Sequence, residues 1–323
     1  MRAIRVHEQR GVDGLVYEEA PDPVPAIGDV LVKVYAAGFT ASELYWPVYT
    51  DRAGRDRTPI IPANEFSGEV VALGYGTTGY AVGDEVYGLI DGYRDGGAAE
   101  LIAVEARDVA PKPTTIDHIQ AASLPQAGLT SWQALFVHGR LTEGQTVVVH
   151  GAAGAVGSIA VQLAHARGVC VIGTGRAKVR AHVLELGADQ FVDLDQERWE
   201  DEIGVVDVVF DCVGDEVLAR SAAIVKPGGA LISVVVPPET DREDIRSNFF
   251  IRDPSGEQLR ELARMVDDGA VSPQVGAVFP LAEARDAFSA KFAGGIPGRV
   301  VLTPSPRRGG RPSRTRSSPA PPR

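Results

Sequence analysis

The residues best placed to do chemistry form a glycine turn, His150-Gly151-Ala152-Ala153-Gly154-Ala155-Val156-Gly157, entered from the β-branched run Thr146-Val147-Val148-Val149. Such a turn suits a pyrophosphate. Gly154 lets the backbone approach the phosphates closely, Gly157 permits tight packing of helix on strand, and the free N–H groups at the helix start face the anion. Gly151, Ala153, Ala155 and Val156 complete the loop as candidate cofactor contacts. Ala152 stands where the G-x-G-x-x-G fingerprint has its first glycine, and a turn of this kind can serve connection alone. Its place inside a βαβ unit favours dinucleotide binding.

The second strand ends in Gly173-Thr174-Gly175-Arg176-Ala177-Lys178-Val179-Arg180. An NAD site usually offers an acid here, about 20 residues past the glycines. This segment has none and carries three cations. Arg176 or Lys178, beside Thr174 and Gly175, would pair a 2′-phosphate, which points to NADPH. A solvated helix face is the other reading.

The elements that must hold this turn follow from the pattern around it. From Gln145 onward, apolar strand runs (Thr146–His150, Val169–Gly173, Gln190–Val192, Val205–Phe210, Ala230–Val236) alternate with helical stretches, the signature of a doubly wound parallel sheet. Before it, short apolar runs such as Val30–Tyr35, Ser67–Leu73, Asp84–Leu89 and Leu101–Val104 lie between Gly, Pro and Asp, as in a mainly β domain. After Pro237 the pattern is mixed: helices at Ser255–Asp268 and Leu281–Phe292, strands at Ala277–Phe279 and Gly298–Thr303. The expected organisation is an N-terminal substrate domain over 1–122, a nucleotide domain over 123–252, a return to the first domain over 253–303, and a basic tail over 304–323.

Composition narrows the function classes. With 323 residues, 44 % hydrophobic and 23 % charged, the chain resembles an ordinary globular protein of two domains. Six of its 32 basic residues lie in 304–323 with no acid, so the remainder carries 26 basic against 43 acidic side chains, a formal charge of −17. Such a body repels nucleic acid, and the Pro- and Ser-rich tail is expected to be disordered. Cys170 and Cys212 are too few for a disulfide framework or zinc cluster and are expected to be buried and reduced. Neither a signal peptide nor a membrane span is legible, so a cytoplasmic location is expected.

Further segments carry a resemblance. Pro62-Ala63-Asn64-Glu65-Phe66-Ser67-Gly68, Val82–Gly88, Ala121–Pro125, Gly128–Trp132, Gly187-Ala188-Asp189, Asp207–Asp211 and Lys226–Gly229, taken in order, resemble the medium-chain dehydrogenase/reductase superfamily, in its zinc-free quinone oxidoreductase branch. The resemblance implies an α/β protein: a GroES-like β-barrel domain and a doubly wound Rossmann domain with a cleft between them. Thr40 then matches the position of a catalytic zinc cysteine and Asn64 that of a zinc histidine, and the four-cysteine lobe has no counterpart. No metal is expected.

Without a Lewis acid, hydrogen-bond donors must steady charge on substrate oxygen. Tyr45 matches a pocket tyrosine of the branch and Thr40 a position that is often Asn; both are candidate catalytic donors, and packing at a domain seam is the other reading of Tyr45. By the same resemblance Thr130 faces the nicotinamide, Val213 and Val234 pass close to the cofactor, and Arg299 reaches its pyrophosphate; a helix-stabilising hydroxyl is the other reading of Thr130, and a surface ion pair that of Arg299. Phe249 and Phe250 either wall the cleft or belong to the core. The activity so implied is NADPH-dependent hydride transfer to a small electrophile, a quinone or α,β-unsaturated carbonyl, by a homodimer. An enoyl reductase of lipid or polyketide synthesis and a non-catalytic NADPH-binding relative are the alternatives.

Overall fold

The computed structural model describes residues 1–304, with the backbone alone at Ala41. The tail expected from 304 onward therefore lies, beyond Pro304, outside the described residues. A hairpin of β1 (Arg2–Val6) and β2 (Leu15–Glu19) opens the chain. The first large sheet is built on β3 (Asp29–Phe39), which pairs antiparallel with both β4 (Glu65–Leu73) and β6 (Leu101–Glu105). On β4 are paired, in turn, β5 (Glu85–Leu89) and β7 (Val109–Pro111). Val30, Val32 and Val34 point from β3 into the core while Lys33 between them is exposed, the alternation of a sheet with one wet face. Two register shifts between β3 and β4 bend the pair, as bulges do at barrel corners.

Two short helices lead out of this sheet. A capping box of Asp117 and Gln120 starts α1 (His118–Ala121), and Pro125 occupies the first position of α2 (Pro125–Trp132), where its missing N–H costs nothing. A π-helical turn, Gln133–His138, continues α2.

The second sheet follows as β8 (Thr146–His150), α3 (Ala155–Ala166), β9 (Cys170–Gly175), α4 (Arg180–Glu185), β10 (Gln190–Asp193), α5 (Glu200–Ile203), β11 (Val206–Asp211), α6 (Asp215–Ser221), β12 (Val225–Ser233) and β13 (Arg246–Phe249). All its pairs are parallel, in the order β10-β9-β8-β11-β12-β13. Val147 and Val149 pack in one hydrophobic core and Val148 in another, so β8 is covered on both faces. That is why it reads as an unbroken apolar run.

The chain then returns. Ser255 caps α7 (Gly256–Asp267), whose Leu259, Leu262 and Val266 share a core with α2 and α3, and the Tyr87 hydroxyl of β5 donates to Leu259 O. This helix thus packs on α2 and on the β5–β7 side of the first sheet. Beyond it, β14 (Val275–Pro280), α8 (Ala284–Phe292) and β15 (Arg299–Thr303) complete the first sheet, β15 pairing antiparallel with β3.

One expectation about burial fails. Cys170 is exposed, because it is the first residue of β9 at the rim of the sheet, and Cys212 is half-buried just past the end of β11. No helix among the described residues is long and apolar enough to cross a membrane.

Candidate active site

Strands β9 and β10 lie on one side of β8, and β11 to β13 on the other, so the order of strand addition switches sides between β8 and β11. Ligands of such sheets bind beyond the carboxyl ends of the strands at that point. Gly151 follows β8 with φ +73°, a conformation open to glycine. A Cβ on Gly157 would lie 2.2 Å from Gly151 O, which explains the glycine there by close packing of α3 on the turn. Gly154 is the N-cap of α3 and provides no side-chain cap, so the N–H groups of Ala155, Val156 and Gly157 remain for an anion. Ala152 is turned into the core with its N–H on Thr174 O, which accounts for an alanine at the fingerprint's first position.

The facing loop is held by Asp211, whose carboxylate accepts from the N–H groups of Val213 and Gly214 and from the Ser233 hydroxyl. Val213 is thereby brought beside Gly151, and Val235 beside Gly214. Val234 donates its N–H to Asp211 O. These residues form a partly exposed apolar rim next to the glycine turn.

At the end of β9, Arg176 and Lys178 are exposed. Arg176 has Asp195 at 3.9 Å, a solvent-screened pair of little strength, so its charge remains available. Gly175 gives its carbonyl to Leu194 N–H. Thr174 departs from its expected role. The Ser221 hydroxyl donates to Val217 O, so its oxygen accepts from His150 Nε2–H, and His150 Nδ1 then accepts from the Thr174 hydroxyl at 2.8 Å. Burial pushes the His150 pKa down to about 3 and keeps the ring neutral. The Thr174 hydroxyl gives its proton to this core network and is fully buried, so it has no O–H for a ribose.

A second group of residues lies where the first sheet meets α2. Glu65, fully buried at the start of β4, accepts from the Gln126 N–H through Oε2 (2.8 Å) and so caps α2, which has no side-chain cap of its own. Its Oε1 stands 2.7 Å from Arg299 Nη2, off the N–H axis, as an ion pair. Arg299 Nη1 donates to Thr40 Oγ1 at 2.9 Å, and Gln126 Nε2 donates to the same oxygen at 2.8 Å. With both lone pairs taken, Thr40 keeps its O–H as a donor with no acceptor among the described residues. Glu43 accepts from the Ala63 N–H at 2.8 Å; burial, opposed by that bond and by Arg299, raises its pKa to about 8. Burial also raises the pKa of Glu65, against the pull of Arg299.

Other expected residues sit differently. Tyr45 is 58 % exposed, with its ring edge-on to Phe292 of α8 and its hydroxyl against Gly11. The 3-10 turn Ala41–Tyr45 sends Glu43 and Leu44 inward, which leaves Tyr45 facing out and away from the Thr40 group. The Thr130 hydroxyl donates to Gln126 O within its own helix. Arg299 is a buried member of the cluster, where a free cation for a pyrophosphate was expected. Phe250 packs on the His138 ring.

Comparison with known proteins agrees with this layout. Residues 26–114 match a family model described as an alcohol dehydrogenase GroES-like domain, and residues 186–302 one described as a zinc-binding dehydrogenase. The chain is 33 % identical over 310 residues to a probable zinc-binding oxidoreductase, mitochondrial, of Arthroderma benhamiae, covering 89 % of this chain and 92 % of that one. The chain belongs to the medium-chain dehydrogenase/reductase superfamily, in its quinone oxidoreductase branch. A chloroplastic NADPH-dependent alkenal/one oxidoreductase of Arabidopsis thaliana is also 33 % identical, over 95 % of this chain and 80 % of its own. The solved quinone oxidoreductase of Coxiella burnetii superposes with a TM-score of 0.85 at 28 % identity, covering 94 % of this chain and 99 % of that one.

In this oxidoreductase the described residues include no group of three His, Cys, Asp or Glu side chains that could hold a metal. Gln126 of the Thr40 group escaped the sequence reading, as did two residues near that group. Arg252 and Trp46 meet as a cation over an aromatic face, 4.8 Å from the ring centre. Neither lies in a motif, and they come from segments 206 residues apart; only the fold joins them.

Proposed function

We propose that this chain is an NADPH-dependent reductase of quinones or α,β-unsaturated carbonyls that works without zinc. The observation that carries the reading is Thr40, whose oxygen is filled by Arg299 and Gln126 and whose O–H is left to donate. The named activities of the Arabidopsis and Coxiella relatives support the substrate class. The turn Gly151–Gly157 fits a dinucleotide, since only Gly151 O lies near a Cβ placed on Gly154, and Arg176 and Lys178 suit a 2′-phosphate. When bound, the cofactor would supply a hydride to the conjugated carbon of the substrate. As the carbon–carbon π pair shifts into the bond next to the carbonyl carbon and the carbonyl π pair moves onto oxygen, the Thr40 O–H donates to the growing charge. Arg299 makes that hydroxyl a stronger donor, and Glu65 holds Arg299 in place. The proton for the adjacent carbon comes from solvent.

Thr40→Val removes the donor and keeps the shape. It should lower kcat for enone and quinone reduction about 100-fold, with the NADPH dissociation constant unchanged, and dialysis against a chelator should leave wild-type kcat intact. Full turnover by Thr40→Val, or its loss on chelation, would overturn the reading.

A further inference from the structure

Arg252 is a cation without a counter-ion. Among the described residues no side chain or carbonyl accepts a hydrogen bond from it, none forms an ion pair with it, and its Nε is buried and unpartnered. Its guanidinium is nonetheless held. Trp46 covers one face. The backbone next to it is clamped from both sides by one amide: Gln133 Nε2 donates to Asp253 O at 2.8 Å, and Gln133 Oε1 accepts from Asp253 N–H at 3.0 Å. Burial and the nearby Arg299 lower its pKa to about 10, so it stays charged at neutral pH.

Neither acid near it is bonded to it. Glu65 is paired with Arg299 and caps α2, and Glu43 is bonded to Ala63 N–H. Trp46, which covers Arg252, ends the 3-10 turn that starts after Thr40, and Glu65, Glu43 and Arg299 act on Arg252 electrostatically. Arg252 therefore presents a planar cationic fork with no hydrogen bond or ion pair to a carboxylate among the described residues, a shape suited to one. An uncompensated, partly buried charge is costly, and an arriving anion offsets that cost.

We propose that Arg252 selects electrophiles that carry a carboxylate, so that the favoured substrates of this site are oxo-enoates or quinone carboxylates. The inference rests on the reductase reading above and adds the recognition group. Trp46 and the Gln133 clamp present the fork, Arg252 takes the carboxylate, and the conjugated carbonyl of the same molecule is left for Thr40.

The test uses a matched pair, 4-oxopent-2-enoate and pent-3-en-2-one, which differ by a carboxylate in place of a methyl. Wild-type protein should show the higher kcat/KM on the acid. Arg252→Gln should lower that value by about 30-fold or more and leave the neutral enone within about twofold, with Arg252→Lys intermediate. The saturated keto acid 4-oxopentanoate should quench Trp46 fluorescence in wild type and not in Arg252→Gln, while NADPH affinity is the same in both. Equal losses on both enones would make Arg252 a general oxyanion donor, and a weakened NADPH affinity would make it a cofactor contact; either overturns the proposal. Turnover of neither enone would remove the reductase reading, and 4-oxopentanoate binding would then decide for or against Arg252 by itself.

Discussion

At the scale of single residues, hydrogen-bond direction decides roles that residue type leaves open. Two hydroxyls expected to face the cofactor, those of Thr130 and Thr174, donate to Gln126 O and His150 instead. The Thr40 hydroxyl is the one that remains a donor, because guanidinium and amide nitrogens occupy its oxygen. Arg176 is the converse case, a side chain with no strong partner at the place where a 2′-phosphate would sit. Arg176→Ala should raise the NADPH dissociation constant about tenfold or more and barely move that of NADH, as titrations of intrinsic fluorescence would measure. Equal shifts for the two would exclude a 2′-phosphate contact.

At the scale of elements, strands that carry an apolar run were legible, the edge strands β10 and β14 among them, and the polar edge strand β13 was not. Thr146–His150 and Val206–Asp211 read as largely apolar runs because the parallel sheet buries all their side chains but those of Thr146 and Asp207, which are half-buried. β13 escaped because Arg246, Ser247 and Asn248 are polar and partly or fully exposed at the sheet edge, so no period marks it. The glycine turn was legible because it is local. The Glu65–Arg299–Thr40 cluster was legible only as separate residues, since its members are brought together by pairing of β15 with β3. Within the turn, two glycines should behave differently. Gly157→Ala forces a Cβ to 2.2 Å from Gly151 O and should destabilise the protein by about 1–3 kcal/mol. Gly154 has φ −74° and meets only Gly151 O, at 3.2 Å. Gly154→Ala should keep close to the wild-type Tm and still weaken NADPH binding by obstructing the phosphates. Unchanged affinity would mean that the turn connects strand to helix and does nothing more.

At the scale of the whole molecule, the site is a joint between the two ends of the folded chain. Glu43 and Glu65 come from the first sheet's early strands and turns, whereas Arg252 and Arg299 arrive only after the parallel sheet has been completed. The acids are buried in the finished fold, and Glu43 is the more exposed to the consequence, because its main partner is one backbone N–H. Its pKa rises from 4.5 to about 8 on folding, so between these values the folded state binds a proton that the unfolded chain has released. The stability this proton provides is fully present below the unfolded pKa and is lost as pH climbs through the folded one. Wild-type Tm should therefore fall by several degrees from about pH 5 to about pH 8. Glu43→Gln keeps the acceptor for Ala63 N–H and removes the titration. It should flatten that decline and exceed wild type in Tm at about pH 8, as calorimetric scans across the range would record. The same pH slope in both proteins would place the acid-stabilised proton elsewhere in the joint.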